Sequence, residues 1–448
     1  MVALNRQAPF PIFAAMYSKP KKIAFHTFGC KLNFAETSSI SRSFIERGYE
    51  IESKKELADL LVINNCTVTE NAEKKCKSLI RQVRKKKPDI QIAMVGCYSQ
   101  LRPTDVEKIE GVNYILGNEE KFKLVDYIEN AASNCDVNVK DINKTMVYSP
   151  SYSLGDRTRS FLKIQDGCDY FCTYCAIPYA RGRNRSDTVE NLIKEAKLIA
   201  LQGTKELILT GVNIGLFDGG NSESNLFELL KRLEKLKGIE RIRIGSVEPN
   251  LLTDEIIELA AKSSVIMPHF HIPLQSGSDK ILSQMKRKYK REVFANRVRK
   301  VKSMIPDACV AADVIIGFPG ELDEDFQNTY DFIDQLPVSY LHVFTYSDRP
   351  EAKASQFTHK VASNIKKERS KKLHVLGEKK ARIFYKDNLD KQRDVLWETT
   401  KSKGLLHGFT ENYIQVRTEY DSKKINSIEQ VYLDKIDDNG DFLITFEK

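Results

Sequence analysis

No stretch of this 448-residue sequence approaches the roughly 20 consecutive apolar residues of a membrane-crossing helix, so helical membrane spans are excluded. Internal repeats and low-complexity tracts are also missing, which sets aside solenoids and fibrous arrays. The opening residues do not form a signal-peptide pattern. Prolines interrupt their apolar stretch, and they run into the basic "SKPKK" rather than a small-residue cleavage site. Positions 1–20 therefore read as a disordered leader. Tryptophan is nearly absent, with Trp397 alone. Nine cysteines without a secretion signal point to a reducing compartment, where they serve as thiols or metal ligands rather than disulfides. A cytoplasmic location is expected.

What is present is ordinary in bulk. With 41% hydrophobic and 29% charged residues, the length suits two to four domains that each bury a core. The net charge of +9 hints at a polyanionic partner, and its distribution says more. Glu73–Lys87 carries eight Lys/Arg against one Glu, and Lys360–Arg382 carries nine against two. One such segment is an ordinary solvated helix face. Two in one chain tilt the reading towards nucleic acid.

Residues 21–145 alternate β-rich runs ("KKIAFHTFGC", "ADLLVINNC", "IQIAMVGC") with helix-favouring segments such as Glu36–Arg47 and Asn71–Lys87. That order predicts βαβ units and a parallel sheet. All three runs end in cysteine, at Cys30, Cys66 and Cys97. The carboxyl ends of parallel strands share one edge, where ligands bind, so these three cysteines are expected to converge despite their separation. Glycine precedes two of them, which permits close backbone approach. A single cysteine is more often a buried structural residue; the same strand-then-cysteine pattern three times points to a ligand set.

"VYSPSYSLGDRTR" reads as a linker, and the region 146–375 alternates again, with candidate strands in "SFLKIQ", "ELILTGVN", "RIRIGSVEP", "FHIPLQSG", "VAADVIIGFPGE" and "YLHVFTYS". Six βα units predict a partial or full α/β barrel with its chemistry on the loops after the strands. Residues 376–448 change character. "RDVLWETT", "YIQVRTEY", "EQVYLDKIDD" and "DFLITFEK" predict a small all-β barrel, with Trp397 in its core. From Lys386 to Lys448 ten Lys/Arg face thirteen Asp/Glu, unlike a barrel that grips RNA by charge.

"KIQDGCDYFCTYCAIPYARGR" places Cys168, Cys172 and Cys175 within eight positions. This C-x3-C-x2-C loop wraps one corner of a 4Fe–4S cube and leaves one iron without a protein ligand. Zinc would need a second pair to close a tetrahedral site, and none is suitably spaced. The spacing, followed by "AIPYARG", resembles the radical S-adenosylmethionine (SAM) superfamily. More narrowly, the chain from Lys21 onward resembles the radical SAM methylthiotransferases. Within them "TFGCKLNFAET", "NNCTVT", "KIQDGC" and "IPYARGR" are most similar to the MtaB-type group, which modifies N6-threonylcarbamoyladenosine in tRNA.

The resemblance implies three domains: an N-terminal methylthiotransferase domain, a central radical SAM domain and a C-terminal TRAM barrel. It implies that Cys168, Cys172 and Cys175 hold a cluster whose open iron binds SAM and yields a 5′-deoxyadenosyl radical. That radical is reactive enough for the C2–H bond of adenine. Cys30, Cys66 and Cys97 would hold an auxiliary 4Fe–4S cluster, whose open iron carries sulfur for methylation by a first SAM. Partners implied are tRNA presenting the modified adenosine at position 37, a reductant such as flavodoxin or ferredoxin, and a sulfur source.

Barrel logic adds strand-end candidates for the SAM pocket: Asn213, Glu248, Gln275, Asp313 and Pro319. Ordinary loop capping is the alternative for each. Many radical SAM proteins place an acidic pair soon after the third cysteine; here "RGRNR" (Arg181–Arg185) stands instead, so another group must hold the methionine amino group. Cys76, Cys135 and Cys309 fit neither triad. His269 and His271 share one strand face in "PHFHIP", as pocket lining or packing before a metal pair. Two other readings stay open: a methylthiotransferase acting on a ribosomal-protein aspartate or another tRNA adenosine derivative, and a non-catalytic iron–sulfur scaffold.

Overall fold

A computed structural model describes residues 21–66, 70–130, 136–155, 158–220, 224–398, 404–437, 440 and 442–444. The expected leader 1–20 and Cys135 lie outside the described residues.

The first unit is an all-parallel sheet of order β2-β1-β3-β4-β5-β6. Its strands are β1 (Lys22–Thr27), β2 (Glu50–Ile51), β3 (Leu60–Asn65), β4 (Gln91–Gly96), β5 (Tyr114–Leu116) and β6 (Asp136–Asn138). Successive residues of β3 and β4 pack into different cores: Leu61, Ile63, Ile92 and Met94 on one face, Leu60, Val62, Ala93 and Val95 on the other. Burial on both faces is why these runs are continuously apolar rather than alternating. The three cysteine-terminated runs are β1, β3 and β4, side by side at the sheet's centre. The other three strands have only two or three residues each, too few to show a period in sequence. The first helix, Lys31–Glu46, begins immediately after Cys30, five residues before the expected Glu36.

Six further parallel strands form two hydrogen-bonded triplets. The first holds β7 (Arg159–Lys163), β10 (Glu206–Thr210) and β11 (Arg241–Arg243); the second holds β12 (His269–His271), β13 (Cys309–Ile316) and β14 (Tyr340–Thr345). Single bridges, Ile242 to Ile266 and Ser246 to His271, join them into an open (β/α) half-barrel. Each strand coincides with a run expected from the sequence. Between β7 and β10, the short hairpin β8 (Gln165–Asp166) and β9 (Arg185–Ser186) clamps the base of the loop carrying Cys168, Cys172 and Cys175. Gly167, at φ +70°, has Arg183 O at 1.9 Å from where a Cβ would stand, so only glycine fits there.

The segment expected to be a linker is instead packed along β7. Tyr152 bridges to Leu162, and Ser153 Oγ accepts the Phe161 N–H at 2.8 Å. Serine hydroxyls supply backbone partners here, so polarity did not mean solvent. The basic stretch at 360–382 lies, from Ser363 onward, in a 24-residue helix, Ser363–Lys386, laid against β14 and leading to the last sheet.

That sheet has order β18-β15-β16-β17-β19: β15 (Gln392–Trp397), β16 (Leu405–Thr410), β17 (Gln415–Glu419), β18 (Ile428–Tyr432) and β19 (Phe442–Leu443). It is antiparallel apart from the parallel β17–β19 pair, and forms a half-barrel consistent with TRAM. Four of its strands were expected. The fifth, β16, is the glycine-interrupted "LLHGFT", and glycine in a strand marks close approach of a neighbour. A Cβ on Gly408 would fall 2.5 Å from Val395 Cγ1 and 2.8 Å from the Trp397 ring. Trp397 is 0% exposed, with Nε1 donating to Glu429 Oε2 at 2.9 Å. Gly408→Ala is therefore expected to destabilise this sheet by about 1–3 kcal/mol through overpacking. Urea unfolding followed by the fluorescence of the lone tryptophan measures it directly.

Candidate active site

Each cysteine of the first set stands at a carboxyl end of adjacent parallel strands. Cys30 is the N-cap of the helix Lys31–Glu46, Cys66 follows β3, and Cys97 opens a short helix after Gly96. A Cβ on Gly29 would lie 2.8 Å from Cys66 Cβ, so the glycine lets the β1 turn sit on the β3 end. Cys30 and Cys97 are within electrostatic reach of each other, and the Arg181 guanidinium acts on both. The Cys30 thiol donates to Asn33 Oδ1 at 3.7 Å, and Asn118 Nδ2 donates to Cys97 Sγ at 3.6 Å.

In the second set, Cys168 Sγ accepts the Tyr170 N–H at 3.5 Å, and Cys172 Sγ accepts from Arg287 Nη1 at 3.1 Å. Phe171, between them, takes φ +48°, a left-handed conformation that a phenylalanine adopts only under constraint. Burial pushes the Cys175 thiol up to about 12, and burial also raises Cys168. Thiolates persist in such surroundings when a metal replaces the proton. Neither set brings three sulfurs within 4.8 Å of one another; the described group that is this tight is His271, Asp313 and His342. The wider cysteine spacing suits a cluster better than one tetrahedral ion. In the histidine group, His271 already uses both ring nitrogens, with Ser246 Oγ at 2.6 Å and Asp313 Oδ1 at 2.7 Å.

Two cavities adjoin these sets. The smaller, about 230 Å³, is lined by Cys175, Ile177, Gln275, Asp313, Phe344 and Arg349. Gln275 holds φ +65° there. The larger, about 900 Å³, fills the half-barrel. Cys30, Lys31 and Phe34 enter it from the first unit, and Phe409 and Tyr413 close it from the last sheet. Asp313 and Phe344 line both, so the two cavities meet at that point. Of the strand-end candidates, Gln275 and Asp313 line the smaller cavity. Asn213 lies against the Cys168 thiol, with both amide atoms otherwise without hydrogen-bond partners. Glu248 is ion-paired to Arg287. Pro319 is buried outside both linings, in a turn anchored by the Glu321–Arg369 pair. Cys309 and both expected histidines line the larger cavity, and Cys76 is buried in the first core.

Residues 162–333 match the Radical SAM superfamily, and residues 22–117 match Uncharacterized protein family UPF0004. The chain is 39% identical over 405 residues to the threonylcarbamoyladenosine tRNA methylthiotransferase MtaB of Bacillus subtilis (strain 168), covering 88% of this chain and 89% of that protein. The MtaB of Aquifex aeolicus (strain VF5) is 38% identical over 402 residues, covering 89% and 97%. The chain belongs to the radical SAM methylthiotransferase family. At 35% identity, the tRNA-2-methylthio-N(6)-dimethylallyladenosine synthase of Syntrophus aciditrophicus (strain SB) aligns over 84% of each. The solved structure of the radical SAM methyltransferase TsrM from Kitasatospora setae superposes with a TM-score of 0.56, over 75% of this chain and 77% of that one. At 15% identity it speaks for the fold alone.

The residues that tie this methylthiotransferase together were not singled out in its sequence. Glu36, 0% exposed, meets Lys121 Nζ at 2.6 Å, Lys163 Nζ at 3.1 Å and Arg181 Nη1 at 2.9 Å. Asp166 meets Lys163 at 2.8 Å and Arg181 at 3.0 Å, while Arg181 Nη2 donates to Asn33 Oδ1 at 2.8 Å. Arg181 opens the "RGRNR" stretch where an acidic pair is missing, and it turns inward to join the two cysteine sets. Burial alone would raise the Glu36 carboxyl, but Arg181, Lys121 and Lys163 hold it well below the usual carboxylate range; Asp166 is held down likewise. Folded values below the unfolded ones mean that this stabilisation is complete above about pH 4.3 and is lost as pH falls further. Glu36→Gln leaves Lys121 without a carboxylate and Lys163 and Arg181 with Asp166 alone, and is expected to cost about 3–5 kcal/mol at neutral pH. The variant's urea midpoint should also decline less than wild type on acidification from about pH 5 to pH 3.

Proposed function

We propose that this enzyme methylthiolates C2 of N6-threonylcarbamoyladenosine at position 37 of tRNA, giving the 2-methylthio derivative, with two SAM molecules and two 4Fe–4S clusters. The observation that carries the reading is the junction of the two cavities. A base in the larger cavity lies between Cys30 on one side and the Cys175 pocket on the other, so one base faces both cysteine sets. In this reading Cys168, Cys172 and Cys175 hold one cluster and Cys30, Cys66 and Cys97 the other; with SAM bound, these groups supply the radical and the sulfur.

The protein's own part is positioning. Arg287 donates to Cys172 Sγ and is itself fixed by Glu248, which orients that ligand. Gln275 and Asp313 present polar atoms to the small cavity beside Cys175. Phe34, Phe161, Phe409 and Tyr413 give the large cavity aromatic walls on which a purine stacks. An anticodon-loop base is already unpaired, so swinging it inward costs less than from a duplex. Exposed Lys75, Arg81, Lys85, Lys367, Lys371 and Arg382, on the two basic helices, suit phosphate contacts. The MtaB relatives and their names favour threonylcarbamoyladenosine within the family.

Nucleoside digestion of tRNA from a strain without this gene is the test. Unmodified threonylcarbamoyladenosine should accumulate there; persistence of the methylthio form with no second such enzyme present would sink the substrate assignment. The division of labour has its own check. Replacing Cys30, Cys66 or Cys97 by Ala should abolish thiolation while reductant-driven SAM cleavage survives, whereas Ala at Cys168, Cys172 or Cys175 should abolish both.

A further inference from the structure

The large cavity gathers several cationic side chains, and one of them, Lys31, has no ion-pair partner among the described residues. Lys31 lines it, and among the described residues no carboxylate or hydrogen-bond acceptor meets its ammonium group. The charges acting on it include those of Arg159 and Arg243, opposed by Glu206. Arg243 is fully engaged, by Glu206 Oε1 at 2.8 Å and by the carbonyls of Thr410 and Glu411. Arg159 pairs with Glu398 through Nε, while its buried Nη1 lies 3.9 Å from Glu206 Oε1, an ion-pair distance without a hydrogen bond among the described residues. His269, 5% exposed, lies within electrostatic reach of Lys31 and Arg243 and stacks on Tyr413 at 4.3 Å. Its Nε2 faces Tyr340 Oη at 3.4 Å, while Nδ1 has no partner. An aromatic chamber with an unmatched ammonium, a guanidinium nitrogen that lacks a hydrogen bond and an imidazole nitrogen without a partner suits an anion carried on a flat ring.

We propose that Lys31, Arg159 and His269 form a subsite for the carboxylate of the amino-acid substituent on N6 of the substrate adenine, selecting a charged substituent over an apolar one. This rests on the proposed function and extends it to the residues that choose among N6 substituents. A carboxylate gives all three groups a partner. An apolar prenyl chain in the same place covers Lys31, which is exposed in the free protein, and offers no partner to Arg159 Nη1 or His269 Nδ1, which costs more than the missing attraction alone. The discrimination therefore comes from rejection as much as from binding.

The test uses the cluster-loaded full-length protein and three anticodon stem-loop RNAs. They carry threonylcarbamoyladenosine, its carboxylate methyl ester, or dimethylallyladenosine. Wild type should bind the acid about 10- to 100-fold more tightly than the ester, as expected for hydrogen bonds to a charged group. Lys31→Met should erase that preference, mainly through KM, and Lys31→Arg should restore most of it. Equal affinity of wild type for acid and ester overturns the subsite, whatever the variants do; so does an undiminished preference in Lys31→Met. If wild type modifies the dimethylallyl loop and not the threonylcarbamoyl loop, the proposed function itself fails. Modification of acid and ester alike, with equal KM, removes only the subsite.

Discussion

The buried carboxylate of Glu36 is the constraint on which the arrangement depends. It stands on the first helix of the N-terminal unit, six residues beyond Cys30, yet two of its three cationic partners, Lys163 and Arg181, belong to the central half-barrel. Fully desolvated charges are tolerable only when every partner stays in place. The network therefore fixes the first unit against the second to within hydrogen-bond tolerance. Arg181 lies six positions beyond Cys175 and acts on Cys30 and Cys97, so the same contact sets the spacing of the two cysteine sets.

The chamber between those sets is likewise a composite. The half-barrel supplies walls but leaves its β7 side open, and the first helix covers it by packing Phe34 against Phe161, with ring centroids 6.5 Å apart. The last sheet closes the other end with Phe409 and Tyr413, held by the Arg241 and Arg243 hydrogen bonds to its backbone. No single unit contains a complete site. Fold relatives that share only the half-barrel need not share this cavity.

Much of the fold was legible in sequence because parallel sheets leave strong local traces. Continuous apolar runs such as "LLVINN" and "CVAADVII" mark strands buried on both faces. What was not legible depended on distance. Strands of two or three residues carry no period, β16 was hidden by Gly408, and serines 151 and 153 satisfy β7 rather than solvent. Glu36, Arg181 and Arg287 look like surface residues in a linear reading, since nothing local reveals partners that lie 15 to 148 positions away. Lys31 shows the same limit: one lysine beside a cysteine acquires meaning only once Arg159 and His269 are brought to the same chamber.

The chamber's composition also orders events during synthesis. All six cysteines of the two sets have been translated by Cys175, whereas the wall is finished only with Tyr413 and Gln415. The intervening 240 residues (415 − 175) take about 10–50 s to make at ~5–20 residues/s. During that interval Cys30 stands at a cavity that still lacks the sheet which later closes it, so its thiol is more accessible than in the finished protein. The late-arriving β-sheet thus sets when that chamber closes as well as what shape it has.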